Sequence, residues 1–360
     1  MTLNLFSPLS FAGMQLPNRV VMAPMTRSRA SADHVPTALM VEHYAARAEA
    51  GLLITEGTAP TANGCGYARI PGLWNAAQVE GWRAVTDAVH AKGGRIAVQL
   101  MDCGRVGHPL NLPEGAELVG PSPIGLQGQM WTDQSAMQAY PVPREMTEAD
   151  VQATIAGFVA AAKNAVAAGF DLVELYGANG YLIDQFWSPC ANQRADGWGG
   201  DREGRGRFAL EVARQVAAAI GADKVGIRLS PYGVFNDITP WPELEADFLW
   251  LAGQLGALRL AYLHVVDHSS MGAPAVPDAL KQGMRAAFGA PFILSGGFDG
   301  ARANAELEAG KGELVAFGRP FIANPDLVKR LQAGIALAQP EFATFYSPGP
   351  EGYNDYPAAG

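Results

Sequence analysis

Short apolar segments rich in Val, Ile and Leu alternate eight times with amphipathic helical patterns, and this constrains the fold more than any other feature. The hydrophobic runs predict strands at 19–24, 52–58, 95–100, 171–176, 224–230, 260–266, 291–297 and 313–320. Helices are expected at 36–50, 76–92, 148–168, 202–220, 243–257, 277–288, 301–309 and 324–333. Strict alternation of this kind implies an α/β fold, a (β/α)8 TIM barrel of parallel strands ringed by helices. An open doubly wound sheet usually has fewer strands and a G-x-G-x-x-G turn after the first. Here that turn reads Pro24-Met25-Thr26-Arg27.

Punctuation supports these boundaries. Thr147 and Asp150 have capping-box spacing. Asn324-Pro325 is expected to cap the last helix, and Gly51, Gly93, Gly169, Gly221, Gly289 and Gly310 to end helices. Residues 1–18 are expected to form a hairpin closing the barrel bottom. Long loops follow the third and fourth strands, at 101–146 and 177–200, on the face where barrels carry their active sites. With no linker or repeat beyond the strand–helix unit, residues 1–360 are expected to form one domain.

Composition removes several function classes. Only 17% of residues are charged and the net charge is -9, which disfavours binding to nucleic-acid phosphates. No uncharged apolar run approaches the ~18 residues of a membrane span. The first residues lack the pattern of an export signal. Cys65, Cys103 and Cys190 form no C-x-x-C motif and suit a reducing cytoplasm. His264 and His268 sit four apart, roughly 13 Å on a strand, so no metal is expected. No G-x-S-x-G elbow or Walker loop is present.

The seventh strand ends in Ser295-Gly296-Gly297-Phe298 and the eighth in Phe317-Gly318-Arg319-Pro320. Barrels often bind phosphate at these two ends. Glycines let backbone N–H groups approach an anion, and arginine adds a bidentate contact. The plainer alternative is that the glycines only make turns and Arg319 sits in a surface ion pair.

Motifs along the whole chain then resemble one family. They include Asn18-Arg19-Val20-Val21-Met22-Ala23-Pro24-Met25-Thr26-Arg27, Ile54-Thr55-Glu56-Gly57-Thr58, Val98-Gln99-Leu100 and Gly104-Arg105. Asn179-Gly180-Tyr181-Leu182-Ile183-Asp184-Gln185-Phe186, Arg228-Leu229-Ser230-Pro231 and Phe317-Gly318-Arg319-Pro320-Phe321 follow in order. The chain resembles the Old Yellow Enzyme family of FMN-dependent ene reductases. The resemblance implies FMN across the barrel mouth, reduced by NAD(P)H and reoxidised by an activated alkene such as an enone, a maleimide or a nitro compound. By the same resemblance, Pro24, Met25, Thr26, Gly57, Gln99 and Arg228 would contact the flavin ring, and Gly296, Gly297, Gly318 and Arg319 its phosphate. Tyr181 would protonate the α-carbon, and Tyr176 with Asn179 would hold the substrate's oxygen.

The chain departs from the family at named positions. Tyr176 stands where a histidine is usual. It retains one O–H donor but cannot become cationic near neutral pH. Met101 and Asp102 replace a tryptophan and a histidine, and Asp102 is expected to pair with Arg105. Gly204 replaces an asparagine. Tyr67, Trp74, Trp131 and Tyr353 are aromatics that either line the pocket or pack elsewhere. Three rivals stay open: a flavoprotein with a changed oxidant, a redox-neutral isomerase, and a flavin-free phosphate-binding barrel lyase or isomerase. A monomer and a homodimer are equally compatible with this sequence.

Overall fold

In the computed structural model, which describes residues 3–359, eight parallel strands close into a barrel. They are Val20–Met22, Leu52–Thr58, Ile96–Leu100, Leu172–Gly177, Val225–Leu229, Tyr262–Val266, Phe292–Ser295 and Leu314–Phe317. Each pairs with its neighbours in sequence, and the eighth pairs with the first. Every strand residue is buried, as expected when helices cover one face and barrel packing the other. Continuous rather than alternating hydrophobicity in the sequence reflects this double burial.

The hairpin Leu9–Phe11 with Met14–Leu16 lies under the barrel as expected. Phe11 and Leu16 pack with the first residues of the strands, and the Phe11 and Tyr262 rings are 5.7 Å apart. The bottom is sealed by apolar packing, so chemistry is confined to the other end.

Most helices form where the periodicity places them, including Ala76–His90, Glu148–Ala167, Arg202–Ile220 and Leu244–Ala257. Thr147 and Asp150 form the expected capping box. Two boundaries need correction. The first helix is only Ala38–Ala45, and irregular turns carry the chain on to Gly51. After the eighth strand, two short helices, Arg319–Ala323 and Leu327–Ala333, replace one. Asn324 caps neither start. Its amide donates to the carbonyls of Pro320 and Ala338 and accepts from the Ala338 N–H. Its hydrogen bonds tie the outgoing chain to the barrel, which a local capping rule does not anticipate.

The long loops are built rather than slack. The third-strand loop contains an antiparallel ribbon, Gln129–Thr132 with Ala136–Ala139. The fourth-strand loop contains the buried helix Leu182–Trp187. Residues 342–353 run back as a strap along the end of the first strand. Arg27 donates to the carbonyls of Phe345 and Gly352. Arg29 donates to those of Thr344, Phe345, Gly349 and Glu351. Tyr353 stacks on His43 with ring centres 3.9 Å apart.

Candidate active site

The upper end of the barrel gathers buried polar side chains from adjacent strands. Gln99 lies opposite Glu174 in register, Tyr176 opposite Arg228, and Arg228 opposite His264. Gln99 Nε2 donates to Glu174 Oε1 at 2.7 Å, and His264 Nδ1 lies 2.8 Å from Glu174 Oε2. Burial alone would raise the Glu174 carboxyl, but His264, Arg228 and Gln99 outweigh it and hold it below its ordinary value. Burial and the neighbouring Arg228 lower the His264 pKa. A neutral imidazole giving its Nδ1–H to Glu174 leaves Nε2 as an acceptor, and that atom is buried without a partner. Arg228 Nε is also buried and unpartnered. A buried unpaired donor on a guanidinium is costly, so this layer is built to receive another polar group. Arg228 makes no ion pair with a carboxylate among the described residues. The Thr26 hydroxyl, at the end of the first strand, likewise lacks a partner among them. Pro24 and Met25 beside it are half-buried.

Gly57 requires its lack of a side chain. A β-carbon there would lie 2.4 Å from Met101 Sδ. Met101 therefore packs directly on the second strand, in the wall where the family usually places tryptophan.

The ends of the seventh and eighth strands carry the glycines expected to hold phosphate. Gly296 has φ +136°, and a β-carbon on it would lie 2.2 Å from the Asp267 carbonyl oxygen. Gly297 has φ +61°. Gly318 has no such clash, its nearest neighbour being Met25 Sδ at 3.6 Å. Arg319 is exposed and makes no ion pair among the described residues, so the plainer reading of it is not what the structure contains.

The fourth strand delivers the remaining candidates. Asn179 and Gly180 both turn through positive φ, 59° and 73°, which asparagine and glycine tolerate. The Asn179 N–H donates to Ser230 Oγ, and Asn236 donates to the Asn179 carbonyl. This tight turn brings the Asn179 side chain back over its own strand. Asn179 Nδ2 donates to the Tyr176 hydroxyl at 2.7 Å, and Arg228 Nη1 donates to the same oxygen at 3.3 Å. Tyr181 starts the helix Leu182–Trp187, whose first N–H donates to the Asp102 carbonyl. The Tyr181 and Tyr67 hydroxyls are 3.1 Å apart, and the Tyr176 and Tyr181 rings 4.9 Å. Burial pushes all three phenols above their ordinary pKa, so each keeps its proton at neutral pH.

Several expectations change here. Asp102 does not pair with Arg105. It accepts from the Gly104 N–H, while Arg105 donates to the carbonyls of Ile124 and Asn236. Burial raises the Asp102 carboxyl to about 6. Of the four uncommitted aromatics, Tyr67 reaches Tyr181. Trp74 packs on His34, Trp131 is exposed and bonded to Asp133, and Tyr353 belongs to the strap.

Sequence reasoning missed Glu174, His264 and His268. The first two lie inside apolar runs and show as polar interruptions, a usable signal. His268 lies two residues beyond its strand, and its Nε2 comes 2.7 Å from Asn179 Oδ1. Burial, then the charge of Arg228, lowers its pKa to about 4. No local pattern connects positions 179 and 268.

The fold and this site are those of a barrel enzyme, with positive-φ glycines ending the seventh strand and a layer of buried polar side chains at the mouth. Comparison with known proteins agrees. The pattern of the NADH:flavin oxidoreductase / NADH oxidase family matches residues 4–338. Chanoclavine-I aldehyde reductase of Penicillium roqueforti is 45% identical, over 98% of this chain and 95% of its own. A probable flavin mononucleotide-dependent alkene reductase of Leishmania infantum is 42% identical, over 98% and 97%. Morphinone reductase in complex with tetrahydroNAD superposes with a TM-score of 0.93 at 41% identity, covering 99% of this chain and 98% of that one. The chain belongs to the NADH:flavin oxidoreductase / NADH oxidase family, within its Old Yellow Enzyme branch. It is an oxidoreductase with FMN as cofactor and a nicotinamide as hydride donor. Among the described residues, no helix is long and apolar enough to cross a membrane.

Proposed function

We propose that this enzyme reduces carbon–carbon double bonds conjugated to a carbonyl, in two half-reactions at one mouth. Reduced FMN, when bound, supplies a hydride to the β-carbon. The chain's own residues do the rest. Pro24, Met25, Thr26, Gly57, Gln99 and Arg228 hold the ring, with Arg228 placing a fixed positive charge where negative charge develops. Gly296, Gly297, Gly318 and Arg319 hold the phosphate. Tyr176 and Asn179 bind the carbonyl oxygen and so draw electron density from the β-carbon. Tyr181, kept protonated by burial, gives its proton to the α-carbon. Tyr67 is in hydrogen-bond reach to reprotonate it. The nicotinamide leaves before the alkene enters, because both need the same face. The cysteines, all free, fit a cytoplasmic setting.

One observation carries this reading most. Two donors, Asn179 Nδ2 and Arg228 Nη1, already point at the Tyr176 oxygen. Its own proton is left for an incoming acceptor, as an anchored carbonyl requires.

The test is spectroscopic. Adding NADPH anaerobically should bleach the flavin bands, and 2-cyclohexenone should restore them. Bleaching with no return under any enone would reassign the oxidant. A colourless protein that takes up no FMN would remove the reading at its base.

A further inference from the structure

We infer that His268 is a positioning residue for the oxygen clamp: an imidazole from the end of the sixth strand that fixes the Asn179 amide, in a chain whose own clamp position carries Tyr176. The inference rests on the reading of Tyr176 and Asn179 as the carbonyl clamp.

The argument begins with an ambiguity. A terminal amide can rotate by half a turn and exchange its donor for its acceptor. Only one orientation of Asn179 is useful to a substrate carbonyl, the one that presents N–H. His268 selects it. Its Nε2 lies 2.7 Å from Asn179 Oδ1, and the imidazole tautomer that carries its proton on Nε2 donates to that oxygen, with the amide nitrogen toward Tyr176. With that tautomer the reversed amide would set its N–H₂ against the His268 N–H, and its oxygen would take the Tyr176 proton that an incoming carbonyl needs. One Asn179 proton goes to Tyr176 and the other remains free beside the Tyr176 O–H. The result is a two-donor fork of one amide proton and one phenol proton.

The imidazole is itself held. Its ring lies edge to face with Phe235 at 4.7 Å, and it follows the sixth strand by only two residues. Asn236, next to Phe235, donates to the Asn179 carbonyl. The loop after the fifth strand thus braces both the histidine and the asparagine it contacts. The fork uses neutral donors and suits a single carbonyl oxygen, as in an enone or enal.

The experiment compares reoxidation of the reduced holoenzyme by 2-cyclohexenone in wild type, His268→Phe, His268→Gln, Asn179→Ala and the Asn179→Ala/His268→Phe double variant. His268→Phe keeps a ring against Phe235 and removes the donor. It should raise the half-saturating enone concentration by about three- to tenfold with a smaller change in the limiting rate, the scale of one lost hydrogen bond. His268→Gln, whose amide can donate to the same oxygen, should recover most of the loss. In the Asn179→Ala background, His268→Phe should have no further effect. Additive effects in the double variant, or an unchanged His268→Phe, would overturn the inference. An Asn179→Ala enzyme that binds enone normally would instead overturn the clamp reading beneath it. Flavin content and Tm qualify each variant. If His268→Phe fails to fold, His268→Glu against His268→Gln decides, since glutamate at neutral pH cannot donate.

Discussion

Tyr181 shows how one residue's surroundings set its role. Its hydroxyl meets Tyr67 at 3.1 Å, and burial holds its pKa well above the ordinary value. In the proposed reaction that makes it a proton source and not a base. Tyr181→Phe should slow flavin reoxidation by 2-cyclohexenone by about 100-fold, while flavin reduction by NADPH keeps its wild-type rate. Single-turnover traces of the two half-reactions would show this, and equal slowing of both would refute the assignment. At this scale the sequence was legible where a motif is contiguous. Asn179 through Phe186 and the two glycine-rich strand ends stand out as motifs in the sequence alone. Asp102 and His268 could not. Asp102 sits three residues from Arg105, a spacing that invites an ion pair, yet the strand-to-loop turn sends the two side chains to different partners.

At the scale of elements, the strap is the least local feature of the molecule. Residues 345–353 form no strand or helix, so their carbonyls need donors from elsewhere. Arg29 supplies most of them and is itself buried, its pKa lowered to about 10 by burial and by Arg27. Arg29→Ala would strip donors from several carbonyls at once and should cost about 3 kcal/mol or more. The check is limited proteolysis with thermal melting. Cleavage within 342–353 should appear in the variant under conditions where the wild type resists, with a lower Tm. Arg29→Lys should recover only part, because a single ammonium cannot fan out to carbonyls on several sides. Strands and helices were readable because each carries its own periodicity. The strap was not, since its order derives from arginines more than 300 residues earlier in the sequence.

For the whole molecule, the eightfold alternation was enough to establish a closed barrel, because few folds bury so many double-sided strands. The energetic consequences of what sits inside were not readable. Asp102 is buried with no cation bonded to it, and its carboxyl is raised to about 6 against about 3.9 for a free chain. The unfolded chain ionises at lower pH than the folded one. Between about pH 4 and pH 6 the native state therefore holds more protons, and stability from this group falls as pH rises. Asp102→Asn keeps the acceptor for the Gly104 N–H and cannot ionise. Its stability advantage over wild type should be small at pH 4, grow through pH 6, and level off above pH 7 at about 3 kcal/mol. Paired denaturant titrations across that range would measure it. A gap independent of pH would mean that Asp102 ionises as freely in the fold as outside it.

The strap also has a consequence for synthesis. The end of the first barrel strand emerges from the ribosome well before its partners, because Arg27 and Arg29 beside Thr26 find these carbonyl acceptors more than 300 residues later in the chain. The proposed flavin mouth is thus held open in time. A nascent chain can assemble most of its barrel, yet it completes the loop around Thr26 only once residues 344–352 have followed. Chains cut short before residue 344 should emerge pale, and flavin colour would report that the strap has been made.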